Sequence, residues 1–121
     1  MEATSASPGQ LVVMLYDHLL LHLAKARAAS TPQHMVARSD ALEVCRAVIT
    51  ELLVTLDQQR GGDIARHLSS LYSFMLGELV TLGVRPDQLR LQRVTAMCEQ
   101  LRDAFAAVAS GTPERAAAVV S

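Results

Sequence analysis

Read at about 100° per residue, the apolar positions of this chain fall into four helical stretches divided by short polar breaks. The first is the most apolar. Ser7 stands at its start as a cap, Pro8 suits the first helical position, and Gln10 completes a capping box three residues on. The helix is expected over Pro8 to Ala29. Leu11, Val12, Val13, Leu15, Tyr16, Leu19, Leu20 and Leu23 cover roughly two-thirds of its circumference. Met14 and Leu21 fall inside the remaining arc, among Gln10, Asp17, His18 and Lys25. A helix this apolar either sits centrally in a bundle or keeps greasy surface for a partner.

Pro32 breaks the first helix by forbidding a helical conformation at Thr31. A second helix is expected from somewhere between His34 and Asp40 to about Gln59. Its inner side is Leu42, Val44, Cys45, Val48, Ile49, Leu52, Leu53 and Leu56, with Val54 projecting among polar residues. Gly61-Gly62 ends it, and Asp63 caps a third helix over Ile64 to Leu82. That helix turns Ile64, Leu68, Leu71, Tyr72, Met75, Leu76, Leu79 and Leu82 inward and leaves Phe74 near His67 and Ser70. Gly83 to Pro86 form a turn and Asp87 caps a fourth helix over Gln88 to Ala109, with inner face Leu91, Val94, Met97, Cys98, Leu101, Phe105 and Val108. Thr112-Pro113-Glu114 allows a short fifth helix in an Ala-rich tail. Four helices of about 20 residues with short links specify an all-α protein, an antiparallel up-and-down four-helix bundle. The 121 residues form one domain, with residues 1–6 as a loose arm and 112–121 as a tail.

Composition sharpens the apolar theme. Half the residues are hydrophobic, yet only 3% are aromatic. Leu, Ala and Met favour helix over sheet. The mean hydropathy of +0.24 leaves more apolar material than one small core requires, which points to shared surface in an oligomer or with a client. A net charge of −1 gives no basic face for nucleic acid. Cys45 and Cys98 stand alone in helical patterns and read as free core thiols in a reducing compartment. The first residues lack the positive start of a signal peptide, and the run from Leu11 is too short and too polar to span a bilayer. A cytoplasmic protein without membrane insertion is expected.

The candidate chemistry is sparse. His18 and His22 share a helical face, but no third ligand stands at a matching spacing, so no metal is expected. His67, outside a four-helix bundle, suggests a histidine phosphotransfer domain. The Lys and Gly usual after such a histidine are replaced by Ser69 and Ser70, so the phosphate lacks its cation. The carboxylates form no close pair in an apolar setting, and Gly61-Gly62 is a helix terminator, not a phosphate loop. No cofactor and no enzymatic activity are expected. What remains is stray apolar surface: Met14, Leu21, Val54 and Phe74. Two readings stay open, a wide buried face with ordinary exposed residues or a groove for an amphipathic or extended segment.

A family resemblance bears on that choice. Ser7-Pro8, Leu11 and Met14-Leu15-Tyr16-Asp17 resemble the "SP…L…MLYDG" signature of the FliS family of flagellar chaperones. Leu52 to Asp57 is similar to its "L…TLD" segment. Gly62-Asp63-Ile64-Ala65, Leu68, Leu71-Tyr72 and Phe74-Met75 resemble "G.IA..L..LY.YM", and Leu101 to Phe105 resembles "LR.AW". The pieces run in order from Ser7 to Ala109. His18 replaces the family's glycine, Phe105 its tryptophan, residues 1–6 lack its usual tyrosine pair, and the tail is Ala-rich where the family's is basic. The resemblance implies a cytoplasmic bacterial chaperone that binds the disordered C-terminal segment of flagellin, prevents early polymerisation and aids secretion. Export-apparatus or co-chaperone proteins are further implied partners. By position, Met14, Tyr16, Leu20, Leu21, Val54 and Phe74 are the expected contact residues. The alternatives are a scaffold bundle that forms a homodimer through the first helix, and the phosphotransfer domain.

Overall fold

The computed structural model describes residues 7–111, and within them not the side chains of residues 58–60 and 110–111. Four helices account for nearly all of it: α1 (Pro8–Ala28), α2 (Met35–Val54), α3 (Gln58–Val84) and α4 (Gln88–Gly111), with a 3₁₀ turn at Pro32–His34 before α2. Among the described residues there is no strand. The expected short fifth helix and the loose arm lie outside the described residues.

The helices pack in ring order. α1 lies between α2 and α4, and α3 closes the ring against α2 firmly and against α4 more lightly. Short links make each helix run against its neighbour. The core takes Val12, Tyr16, Leu19 and Leu23 from α1, and Leu42, Cys45, Ile49 and Leu52 from α2. α3 adds Leu68, Tyr72, Met75, Leu79 and Leu82, and α4 adds Leu91, Val94, Cys98 and Phe105. These repeat at three- and four-residue spacings, the periodicity that puts one stripe of each helix inward.

The start of α1 is built as its sequence requires. Ser7 Oγ accepts from Gln10 N at 3.2 Å, and Ser7 N donates to Gln10 Oε1 at 2.8 Å. Asp87 Oδ1 likewise accepts from Arg90 N at the start of α4, at 3.1 Å. Each bond satisfies a backbone donor that the first helical turn would leave open.

The junction of α2 and α3 departs from the expected one. α2 ends at Val54, short of Gln59. Thr55 Oγ1 donates to Leu52 O at 2.8 Å, and Leu56 N bonds Leu53 O at 3.3 Å, which tightens the last turn. The chain then bends inward, and Leu56 is buried. One helical turn follows, closed by Gly61 N to Asp57 O at 2.8 Å. Gly62, at φ 54° and ψ −129°, separates that turn from the long body of α3. This backbone suits only glycine at little cost. In the first turn after the break Ala65 is buried and Ile64, expected inside, is half exposed, while Leu68, Tyr72 and Met75 keep the expected inward phase.

Candidate functional site

The middle of the bundle is sealed. Tyr16 on α1 and Tyr72 on α3 stand on opposite corners of the ring, and their hydroxyls meet at 2.6 Å. Phe105 of α4 stacks at an angle on Tyr16, ring centroids 5.7 Å apart. Beside them Cys98 Sγ approaches Met75 Sδ at 3.6 Å, and Cys45 Sγ points at Leu19 O at 4.0 Å. Burial raises the pKa of the two phenols and the two thiols. Tyr72 and both thiols are pushed up to about 12, and Tyr16 goes beyond the ordinary phenol range. A thiol held this way stays protonated and unreactive at neutral pH.

The outside is different. Met14 and Leu21 are each more than half exposed on α1. Seven residues apart, they lie on one face about 10 Å from each other. His18 lies between them, and its ring stacks on that of His22, centroids 4.4 Å apart. His22 Nδ1 bonds His18 O at 3.0 Å, which occupies one ring nitrogen. Among the described residues no group of three or more His, Cys, Asp or Glu side chains is placed to hold a metal ion. The Asp17 carboxylate accepts from Arg102 Nε at 2.8 Å and ties the edge of this face to α4. Val54, on the last turn of α2, is 70% exposed, and Phe74 stands half exposed on α3. His67, on the same outer side of α3, is also exposed, and its neighbour Arg66 is paired with Asp63.

The expected contact residues therefore divide. Met14, Leu21, Val54 and Phe74 are on the exterior of three helices. Leu20 is partly buried against the core, and Tyr16 is fully enclosed, so it presents no outer surface here. The exterior carries further apolar residues. Leu11, read as part of the apolar arc of α1, is half exposed and extends its outer face beyond Met14, and Val80, which periodicity did not mark, adds to α3. Met35, Val36 and Val84 gather at the opposite end of the bundle, and Leu89 is exposed in the first turn of α4. The signal for these was faint: an apolar pair directly after Pro32-Gln33-His34, and a valine inside the turn Gly83 to Pro86. No helix is long and apolar enough to cross a membrane among the described residues.

The protein is thus a four-helix bundle that keeps its phenols and thiols inside and leaves apolar side chains on its outer faces. The family model for the flagellar protein FliS matches residues 1–112, and the chain belongs to that family. It is 34% identical over 102 residues to the flagellar secretion chaperone FliS of Salmonella typhimurium, which covers 84% of this chain and 76% of that protein. The FliS chaperone of Campylobacter jejuni is 29% identical over 104 residues (86% of this chain, 81% of that protein). The FliS chaperone of Escherichia coli is 29% identical over 102 residues (84% and 75%).

Proposed function

We propose that this chain is a flagellar export chaperone. It acts in the cytoplasm on the disordered C-terminal segment of flagellin, covers the surface through which subunits polymerise, and hands the subunit on for secretion. The observation that carries this reading is the set of apolar side chains left exposed on three helices of a FliS-family bundle: Met14 and Leu21, Val54, and Phe74. A disordered segment cannot bury its own apolar residues, so it gains by laying them on such faces and loses its polymerising form while bound. The contact is spread over separate helices and not sunk in a pocket, which suits a complex that must come apart at the export gate. Export-apparatus and co-chaperone proteins are further partners of the loaded complex. No covalent step is involved.

The test is calorimetric titration of the intact chain with a peptide spanning the flagellin C-terminal segment of the same bacterium. A saturable complex is expected, weakened at least roughly tenfold by Met14→Asp or Leu21→Asp, the magnitude of an interface anchor worth more than about 1 kcal/mol. Absence of a complex, or affinity indifferent to both substitutions, removes the proposal. A second reading rests on Leu11, Met14 and Leu21 sharing the outer side of α1: self-association through that helix. Sedimentation of the chain alone decides it, since a dimer has twice the monomer mass with no client present.

A further inference from the structure

The end of the bundle formed by the 3₁₀ turn, the start of α2 and the α3–α4 turn holds an open groove of about 540 Å³. Pro32, Met35, Val36, Val84 and Pro86 give it apolar walls, and Val84 and Val36 are 85% and 73% exposed. The polar lining is one-sided. It consists of Ser30, Thr31, Ser39 and Arg38, with no carboxylate. Arg38 donates to Leu82 O at 2.8 Å, and among the described residues it pairs with no acid. Arg85, between the lining residues Val84 and Pro86, is exposed and likewise pairs with no acid among the described residues. The nearby carboxylates are engaged or face elsewhere. Glu78 and Asp87 are held by Arg90, and Asp40 lines the neighbouring groove between α1 and α2. The ends of α1 and α3 lie beside the starts of α2 and α4 here, so the helix dipoles offset one another and the positive charge of this end rests on its arginines. The chain as a whole carries −1, so this apolar, positive end is a local departure from the molecule's balance.

We propose that this end is a second docking surface, separate from the outer faces assigned to the client, and that it takes a short protein segment bearing apolar side chains flanked by carboxylates. The apolar side chains fill the space between Met35, Val36 and Val84. The carboxylates meet the guanidiniums of Arg38 and Arg85. Charge of this kind selects the partner and its register, while the apolar contact supplies most of the affinity.

The probe is a short fluorescein-labelled peptide of alternating Leu and Glu, compared with the same peptide carrying Lys at every Glu, each titrated with the intact chain and followed by anisotropy. The acidic peptide is expected to bind saturably, and the basic one at least roughly tenfold more weakly, in line with the cost of like charges across an interface. Val84→Asp weakens the acidic peptide by a similar factor, and Arg85→Glu narrows or reverses the preference between the two peptides. Both positions are exposed, so thermal unfolding of either variant stays at the wild-type value. No saturable binding of the acidic peptide, equal binding of the two, or indifference to Val84→Asp overturns the proposal. Wild-type self-association abolished by Val84→Asp assigns the face to a second copy and overturns it too. Loss of flagellin-peptide binding in Val84→Asp merges the groove with the client surface and also refutes the separate site.

Discussion

Tyr16 and Met14 are two residues apart on α1, yet they belong to different regimes. Tyr16 is enclosed at the centre of the bundle, hydrogen-bonded across the ring to Tyr72, while Met14 stands in solvent. The same pairing recurs on α3, where Tyr72 is buried and Phe74 is exposed. α1 and α3 thus each turn one side to a closed layer of phenols, thiols and thioether and the other to open apolar surface. The lesson is that stability and recognition are carried by different arcs of the same helices, so substitutions on the two arcs should separate cleanly in experiment.

The largest effect is expected inside. Tyr72→Ala removes a buried ring and strands the Tyr16 hydroxyl, which should cost about 3–5 kcal/mol in denaturant unfolding. Alkaline pH comes next. The two thiols and Tyr72 ionise near 9.0 and 10.0 when exposed but are pushed up to about 12 in the fold. Above the exposed values the unfolded chain has lost protons that the folded chain keeps, so unfolding is favoured as pH rises. Stability followed by urea titration should hold level at neutral pH and fall from about pH 9 toward 12. Tyr16→Phe is smaller, about 1–3 kcal/mol, because it leaves the Tyr72 hydroxyl buried without a partner. Adding Tyr72→Phe should recover part of that loss, since the orphaned group is then gone; a fully additive double variant would show that the bond does not couple the diagonal helices. Met14→Asp and Leu21→Asp should move stability least, within about 0.5 kcal/mol, while they weaken the flagellin peptide. A large loss of stability in either would erase the contrast between the two arcs.

Much of this organisation was legible in the residues, because each helix is long enough for a 3.6-residue period to mark its inner side. The stripes of α2 and α4 match the observed core almost position for position. The failures are local and physical. α2 ends early because the Thr55 hydroxyl takes a carbonyl of its last turn, which a window of residues does not reveal, although Leu56 reaches the core as its phase required. Ile64 is in phase with Leu68, Tyr72 and Met75 yet stands half exposed, because it sits in the first turn after Gly62, at the end of the stripe, where Ala65 takes the buried place. Met35, Val36 and Val84 escaped notice because they stand at turns, where periodicity defines no face. For the candidate site, Met14, Leu21, Val54 and Phe74 were visible as apolar residues out of phase with their helices. Tyr16 entered only through the family pattern, and its own phase had already placed it inside.

The Asp17–Arg102 ion pair joins α1 to α4 across 85 positions of chain. As the polypeptide leaves the ribosome, α1 emerges before the other three helices, and α4, its neighbour on that flank, comes after both α2 and α3. Until α4 has followed, the leucines and Tyr16 of α1 lack their cover on that flank, and the nascent chain must tolerate that nakedness or borrow protection from elsewhere.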